Sequence, residues 1–189
     1  MTKPYTIVNM IARAVFNCQF DLDRICLEFP SSTVGYDPES FPGLIYRTKE
    51  PKYTSLIFKS GKMICPGDKS EEEAKKHVNR VIQDLKKYNI PLDENPQVDT
   101  VNIVASGKLP YEVDFEKIPY ALTKVIYEPQ MFPGIIHDID DPKVTVLIFS
   151  NSKIVIAGAK KETDLDRAFE KLCQELKSKN IFVIPPIST

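Results

Sequence analysis

The sequence lacks the long apolar run that a membrane-spanning helix needs, and its first residues, MTKPYTIVNM, lack the hydrophobic segment of a signal peptide. We therefore expect a protein of the cell interior. No charge of either sign dominates, because the formal net charge is −1, so a surface for nucleic acid would have to be local. With 42% hydrophobic and 27% charged residues, the composition is typical of a folded globular protein.

Cysteine and histidine are few and scattered. The four cysteines include no C-x-x-C pair, which argues against a zinc site and a disulfide framework, and we expect them to be reduced and buried. His77 and His137 lie far apart, with no acid or cysteine at metal-ligand spacing. The sequence therefore predicts no metal, no cofactor and no catalytic histidine.

The most informative feature present is an internal repeat. The stretch YDPESFPGLIYR begins at Tyr36, and YEPQMFPGIIHD begins at Tyr127. Residues 36–69 and 127–160 align without a gap and share 15 identities in 34 positions. A repeat of this kind indicates the architecture of a protein more directly than its composition does. We predict two copies of one unit, at residues 5–92 and 97–184, joined by the turn-rich segment YNIPLDENPQ.

Each copy has the same order of predicted elements. A short strand carrying an Asn comes first, and a short helix follows, with Asp21 or Asp114 as its N-cap. Three strands come next, and an amphipathic helix closes each copy, at Ser70–Lys87 and Thr163–Lys179. Ser70 with Glu73 matches a capping box.

The short connections between strands predict an antiparallel sheet, and two helices per copy are too few to cover both of its faces. We therefore predict an α+β fold in which the helices lie on one face of the sheet. Two equivalent copies joined edge to edge would form one continuous pseudo-twofold sheet with its other face uncovered.

Alternation along the strands indicates which residues occupy the uncovered face. Asn9 shares a face with Ile11, Asn102 with Val104, and Leu56 with Phe58. Buried amides without partners would each cost about 1–3 kcal/mol, so we place the asparagines on the uncovered face. An apolar surface with two amides suits the minor groove of A·T-rich DNA, which presents only acceptors, whereas the guanine amino group of a G·C pair would be desolvated against it. The alternatives are that the asparagines cap turns and that the phenylalanines belong to the core.

These residues resemble the TATA-box-binding protein family. The resemblance covers nearly the whole chain and rests on VN-[MI]-[IV]-A, on Y-[DE]-P-x-x-F-P-G-[LI]-I, on LIF and on GxK before a long helix, in that order in both copies. Phe-Pro-Gly in both copies is more similar to archaeal than to eukaryotic members. The resemblance implies a saddle whose curved ten-stranded antiparallel sheet carries the helices on its convex face.

It also implies roles for particular residues. Asn9 and Asn102 would be the central minor-groove donors, and Phe41 with Phe58, and Phe132 with Phe149, would be intercalating pairs. The groove would be lined by Ile11, Leu56, Ile64, Val104, Leu147 and Val155. Phosphates would be met by Arg47, Lys62, Lys69, Lys153 and Lys160. The loop that meets transcription factor B would contain Glu128, Gln130 and Met131.

Several positions depart from the family pattern. Asp138 stands where the family has Arg, Pro66 and Ala157 stand where it has Thr, and Asp68 stands where it has Ala. Gln130 also replaces a usual Glu. Residues 36–69 carry a net charge of +2 and residues 127–160 one of −1, so we expect the second copy to hold phosphates more weakly.

The resemblance implies a general transcription initiation factor and no enzymatic activity. It would act as a monomer on A·T-rich promoter DNA in the cytoplasm at the archaeal chromosome (in the nucleus of a eukaryote), without a membrane. It would bend the DNA and recruit transcription factor B and, indirectly, RNA polymerase. The alternative is a divergent paralogue that regulates transcription mainly through protein contacts, with weakened DNA binding. An enzyme that uses the repeat as an accessory domain is disfavoured because no residues remain for a catalytic module.

Overall fold

The computed structural model describes residues 3–183, and its internal contacts divide the chain into two compact units. The first unit runs from Asn9 to Val101, and the second unit joins the chain before Asn9 to the chain after Val101. The repeat boundaries drawn from the sequence, 5–92 and 97–184, stay a prediction, and residue 184 lies outside the described residues.

In the first unit, five antiparallel strands follow the order β2-β3-β4-β5-β1. The strands are β1 (Tyr5–Val15, of which Asn9–Val15 belong to this unit), β2 (Val34–Gly35), β3 (Gly43–Arg47), β4 (Thr54–Phe58) and β5 (Lys62–Asp68). Helix α1 spans Leu22–Glu28, and helix α2 spans Glu71–Lys87. Each predicted strand of this copy is present, with ends shifted by a few residues, as is usual for element boundaries.

The second unit repeats this arrangement, with the strand order β6-β11-β10-β9-β8. Its strands are β6 (Gln97–Lys108, from Asn102 onward), β8 (Val125–Ile126), β9 (Ile135–Ile139), β10 (Val144–Ile148) and β11 (Lys153–Ala159). A short 3₁₀ turn at Phe115–Lys117 leads into helix α3 (Ile118–Ala121), and helix α4 spans Glu162–Ser178. The short strands β7 (Glu112–Val113) and β12 (Phe182–Val183) pair separately.

The helix starts agree with the sequence predictions to within one residue. Asp21 caps α1 by accepting from the Arg24 amide, and the Ser70 hydroxyl accepts from the Glu73 amide at 3.1 Å. The Glu73 carboxylate reaches back to the amide of Lys69, one residue before the N-cap. Asp114 occupies the N-cap position of the 3₁₀ turn, but its side chain makes no cap hydrogen bond and instead forms an ion pair with Lys117.

In each unit the helices cover one face of the strands. In the first unit Val78, Val81 and Leu85 of α2 pack in one core with Ile57 and Met63 of the strands. In the second unit the buried residues of α4 are Leu165, Ala168, Leu172 and Leu176. Ten antiparallel strands with helices on one face confirm the predicted α+β class.

A polar cluster is buried between α2 and the sheet of the first unit. His77 lies with one ring nitrogen 2.8 Å from the Ser55 hydroxyl and the other 3.1 Å from an Asp68 carboxylate oxygen. The ring of Tyr53 stacks on the imidazole, with centroids 4.1 Å apart. All three cluster residues, Ser55, His77 and Asp68, are buried, so the arrangement is closed to a substrate and ties the helix to two strands.

The cysteines are free, as expected, but only Cys65 is buried, whereas the other three are half-buried. The expectation of four buried thiols was therefore wrong. Burial raises the pKa of the Cys65 thiol to about 12, despite a hydrogen bond with Ser55 that acts in the opposite direction.

Two further features bear on function. Among residues 3–183, no helix combines the length and apolarity required to cross a membrane. Within the same residues, no group of three or more His, Cys, Asp or Glu side chains is arranged to hold a metal ion.

Candidate nucleic-acid interface

The sheet face away from the helices, here called the open face, is apolar and half-exposed in the first unit. Its central row runs across the strands from Ile45 through Leu56 to Ile64 and Arg13, as the pairing register requires. These residues are half-buried, while their neighbours along the strands are fully buried. The alternation predicted from the sequence therefore places Ile11, Leu56, Phe58 and Ile64 on the open face.

The second unit has an equivalent row on its own open face. Ile136 lies opposite Leu147, Leu147 opposite Val155, and Val155 opposite Ser106. Val104 lies opposite Ala157 in the same face. All of these residues are half-buried, so the groove-lining residues predicted from the sequence come together within each unit.

The asparagine of each unit has its amide oriented by a glycine. The oxygen of Asn9 accepts from the Gly67 amide at 3.1 Å, and that of Asn102 accepts from the Gly158 amide at 3.0 Å. An amide oxygen accepts and its nitrogen donates, so this bond identifies which atom is the oxygen. The amide nitrogen of each half-buried asparagine is left as the group that can donate to a ligand.

The backbone conformation explains why a glycine provides the amide that binds each asparagine. The pairing register shifts at Gly67 and again at Gly158, so each glycine is the extra residue of a β-bulge. Their φ angles are +100° and +98°, a conformation that glycine adopts without strain. The bulge frees the glycine amide from the strand ladder, and the asparagine satisfies it. The glycines were visible as identities between the repeats, but the sequence did not indicate this role.

The Phe-Pro-Gly motif positions a pair of aromatic rings. The rings of Phe41 and Phe58 lie edge to face with centroids 5.8 Å apart, and those of Phe132 and Phe149 lie 5.9 Å apart. A Cβ on Gly43 would lie 2.7 Å from the Phe41 ring, and a Cβ on Gly134 would lie 2.7 Å from the Phe132 ring. Glycine is therefore required for the rings to lie against the strand. All four phenylalanines are half-buried, so they are not core residues.

The predicted phosphate-binding side chains are all exposed, namely Arg47, Lys62, Lys69, Lys153 and Lys160. Sequence reasoning missed Lys108, which lies directly opposite Lys153 in the pair β6 and β11. Two like charges in opposed positions destabilise a sheet unless something neutralises them. The equivalent of this pair in the first unit is Val15 opposite Lys62. The net charge of −1 given for residues 127–160 does not include Lys108, because Lys108 lies earlier in the chain.

Asp138 occupies the position equivalent to Arg47. Arg47 lies opposite Thr54 and Asp138 lies opposite Thr145, whose hydroxyl donates to the Asp138 carboxylate at 2.7 Å. Asp138 lines an open cavity of about 800 Å³, whose other charged residues are Lys124, Asp140, Asp141, Lys143, Lys160, Asp164 and Arg167. Two of the cations are paired with acids of the same cavity, Lys124 with Asp140 and Arg167 with Asp141, so Asp138 lies among charges of both signs.

The loop predicted to meet a protein partner is accessible. Glu128, Gln130 and Met131 are exposed, and Met131 retains 83% of its accessible surface. The amide of Met131 donates to the Glu128 carbonyl at 2.9 Å, which closes a turn. A large apolar side chain is thus presented at the tip of an ordered turn.

Comparison with known proteins gives the family of this chain. The model of the family described as "Transcription factor TFIID (or TATA-binding protein, TBP)" matches residues 4–88 and 97–179. The chain belongs to the TATA-binding protein family. The TATA-box-binding protein of Sulfolobus acidocaldarius is 45% identical over 92% of this chain and 89% of its own length, and that of Archaeoglobus fulgidus is 38% identical over 91% and 94%.

Solved structures agree with this membership. The TATA-binding protein of Methanococcus jannaschii matches with a TM-score of 0.86 and 38% identity, covering 93% of this chain and 99% of that one. The fold predicted from the sequence is therefore confirmed, as is the resemblance to archaeal members of the family.

Proposed function

We propose that this protein is a general transcription initiation factor that binds and bends A·T-rich promoter DNA through the minor groove. The observation that carries the proposal is the orientation of Asn9 and Asn102, whose oxygens are occupied by glycine amides and whose nitrogens are left as donors on an apolar face. Adenine N3 and thymine O2 are acceptors that such donors match. Membership of the TATA-binding protein family supports the same function.

The apolar rows supply selectivity by exclusion. A G·C pair carries an amino group in the minor groove, and pressing it against Leu56 or Leu147 would remove its water without replacing the hydrogen bond. That desolvation costs about 1–3 kcal/mol per group. The two units each contribute a row of this kind, so A·T pairs are favoured under both.

The phenylalanine pairs are proposed to deform the duplex. Half-exposed rings fixed by Gly43 and Gly134 have the size and rigidity of the apolar wedges that unstack base steps and kink DNA. No covalent chemistry is required of the protein, because the binding energy is used to bend the duplex. The bent complex, with the exposed turn at Glu128, Gln130 and Met131, is proposed to recruit transcription factor B and, through it, RNA polymerase.

The test is a titration of the full chain with a fluorescent A·T-rich duplex and with a matched duplex in which the central A·T pairs are replaced by G·C. We expect the A·T duplex to bind at least about tenfold more tightly, since one unmatched amino group alone costs on the order of 1–3 kcal/mol. Energy transfer between dyes at the two duplex ends should rise on binding. Equal affinity for both duplexes would reject the proposal.

The alternative of a divergent paralogue with weakened DNA binding is not favoured, because the similarity spans both repeats and the half-exposed aromatic pairs occur in both units. Removal of both oriented amides, in Asn9→Ala with Asn102→Ala, should weaken binding to the A·T duplex and leave the part of the preference that the apolar rows supply.

A further inference from the structure

Arg13 lies on the open face of the first unit, on β1, the last strand in that unit's order. It is opposite Ile64, in the row that continues to Leu56 and Ile45, and its half-buried neighbours on the same face of β1 are Ile11 and Val15. A cation surrounded by apolar side chains contributes nothing to the packing of the sheet beyond its aliphatic stem. Its position instead places it on the surface proposed above to meet DNA.

The guanidinium is held by a weak tether. One Nη donates to the Asp99 carboxylate at 3.1 Å, and the side chains of Arg13 and Asp99 are 41% and 36% exposed. An ion pair this exposed contributes little and exchanges readily. Asp99 also lies within 3.3 Å of the Gln97 amide nitrogen, so the acid keeps a partner when the arginine leaves.

The donors of Arg13 are also incompletely used. Arginine has five N–H donors in a planar fork, and the buried Nε has no hydrogen-bond partner within residues 3–183. The observed contact with Asp99 is made by a single Nη. The guanidinium is therefore kept at the open face without being satisfied there.

The second unit has no counterpart to this charge. The repeat places Ser106 at the position of Arg13, and Ser106 lies opposite Val155 as Arg13 lies opposite Ile64. The two open faces therefore differ at the β1 and β6 ends of their rows, where one has a cationic fork and the other a hydroxyl.

We propose that Arg13 is a specificity-determining residue whose guanidinium enters the minor groove and donates to adenine N3 and thymine O2 under the first unit. The proposal rests on the proposed function and adds a base-reading residue to it. The minor groove of A·T-rich DNA attracts inserted arginines through its negative potential. Asp99 is a positioning residue that holds the side chain over the face until DNA replaces it.

The experiment compares the full chain with Arg13→Ser, the residue found in the equivalent position of the second unit. Affinities are measured by anisotropy for A·T-rich and G·C-substituted duplexes over a series of salt concentrations. We expect Arg13→Ser to bind the A·T duplex about tenfold more weakly and to discriminate less against G·C. The slope of log affinity against log salt should decrease by about 0.9, if the guanidinium displaces one counterion.

Two further variants separate charge from recognition. Arg13→Lys keeps the charge but lacks the planar fork, so it should restore the salt slope and leave the discrimination impaired. Lys75→Ser removes one positive charge from the exposed outer side of α2 and should change neither quantity. If Arg13→Lys restored the discrimination as well, the residue would act as a charge alone and the base-reading proposal would be overturned.

The outcomes for the two proposals are distinct. If the unaltered protein fails to prefer A·T, the proposed function fails and this inference fails with it. If it prefers A·T and Arg13→Ser behaves identically, only this inference fails. If Arg13→Ser does not fold, as judged by thermal unfolding, Asp99→Asn is the alternative test. It releases Arg13 from its ion pair and should strengthen A·T binding a few-fold. Unchanged A·T binding would contradict the proposal.

Discussion

Equivalent positions between the long helix and the sheet are polar in the first unit and apolar in the second. Between α2 and the sheet, the first unit has Ser55, Asp68 and His77, joined by hydrogen bonds and fully buried. The second unit has Val146, Ala159 and Ala168 at the equivalent positions, also fully buried. The fold is therefore compatible with a polar or an apolar layer at this site, provided that the polar one is completely hydrogen-bonded.

A second equivalent pair of contacts differs in solvent access. In the first unit the Tyr46 hydroxyl donates to Asp84 at 2.7 Å, and in the second unit His137 lies 3.0 Å from Glu175. The Asp84 side chain is 9% exposed and that of Glu175 is 34% exposed. The first unit thus relies on buried polar contacts more heavily than the second, which suggests where each unit is sensitive to mutation and to pH.

The largest effect should come from His77→Ala. It removes the ring that bonds to the Ser55 hydroxyl, leaves the Asp68 carboxylate buried without its hydrogen-bond partner and opens a cavity. We expect a loss of about 3–5 kcal/mol in the free energy of unfolding. Equilibrium unfolding of the variant and the unaltered protein in urea measures this loss.

The matched control for His77→Ala converts the whole layer to the apolar residues of the second unit, in Ser55→Val with Asp68→Ala and His77→Ala. Replacing a complete buried polar set is often neutral, so the triple variant should recover most of the stability. A triple variant no more stable than His77→Ala would contradict the comparison.

Asp84→Asn should have the next largest effect. Burial raises the pKa of Asp84, but hydrogen bonds from Lys87, Arg80 and Tyr46 outweigh it and hold the pKa below its ordinary value of 3.8. The pKa of Asp84 is lower in the folded protein than in the unfolded chain, so its carboxylate stabilises the folded protein at pH values above the unfolded pKa. This stabilisation is lost as the pH falls through the pKa that Asp84 has in the folded protein. At neutral pH we expect Asp84→Asn to cost about 2 kcal/mol, in the range for hydrogen bonds to charged groups.

The difference between the Asp84→Asn variant and the unaltered protein should shrink below about pH 4, because the unaltered protein then loses the contribution of the carboxylate that the variant already lacks. Urea unfolding over a pH series measures this. Glu175→Gln, the equivalent change in the second unit, should cost less at neutral pH because its site is half-exposed. A cost for Glu175→Gln as large as that for Asp84→Asn would count against the contrast between the units.

The smallest effect concerns charge on the open face. Asp138→Arg gives the second unit the residue that the first has at Arg47, and it should add about one phosphate contact. The salt slope of DNA binding would then steepen by about 0.9. An unchanged slope would indicate that Lys108, Lys143 and Lys160 already provide the phosphate contacts of this unit. The converse variant Arg47→Asp should make the slope shallower by a similar amount.

The candidate site was largely predictable from the sequence because it depends on short-range periodicity. Residues two apart on a strand share a face, so the grouping of Leu56 with Phe58 or of Asn9 with Ile11 required only alternation. The repeat then located the second copy of each feature. The roles of these residues in DNA binding stay a prediction.

The parts that were missed depend on pairing between segments. The sequence marked Asp68 as unusual, but nothing local indicated that it would bond to His77. The sequence also did not indicate that Lys108 lies opposite Lys153 or that Arg13 contacts Asp99, because each pair is distant along the chain.

The sequence by itself determined the repeat, the strands and helices of each unit, and which side chains alternate to the uncovered face, since these follow from local spacing and backbone preference. Only the tertiary structure decided the direction of the Asn9 and Asn102 amides, the glycine that each ring pair requires, the satisfied buried cluster and the tether on Arg13. Each of these is set by the register between strands and by the packing of a helix on the sheet. The register between strands brings into contact residues that are far apart in the chain, and local sequence patterns do not indicate such contacts.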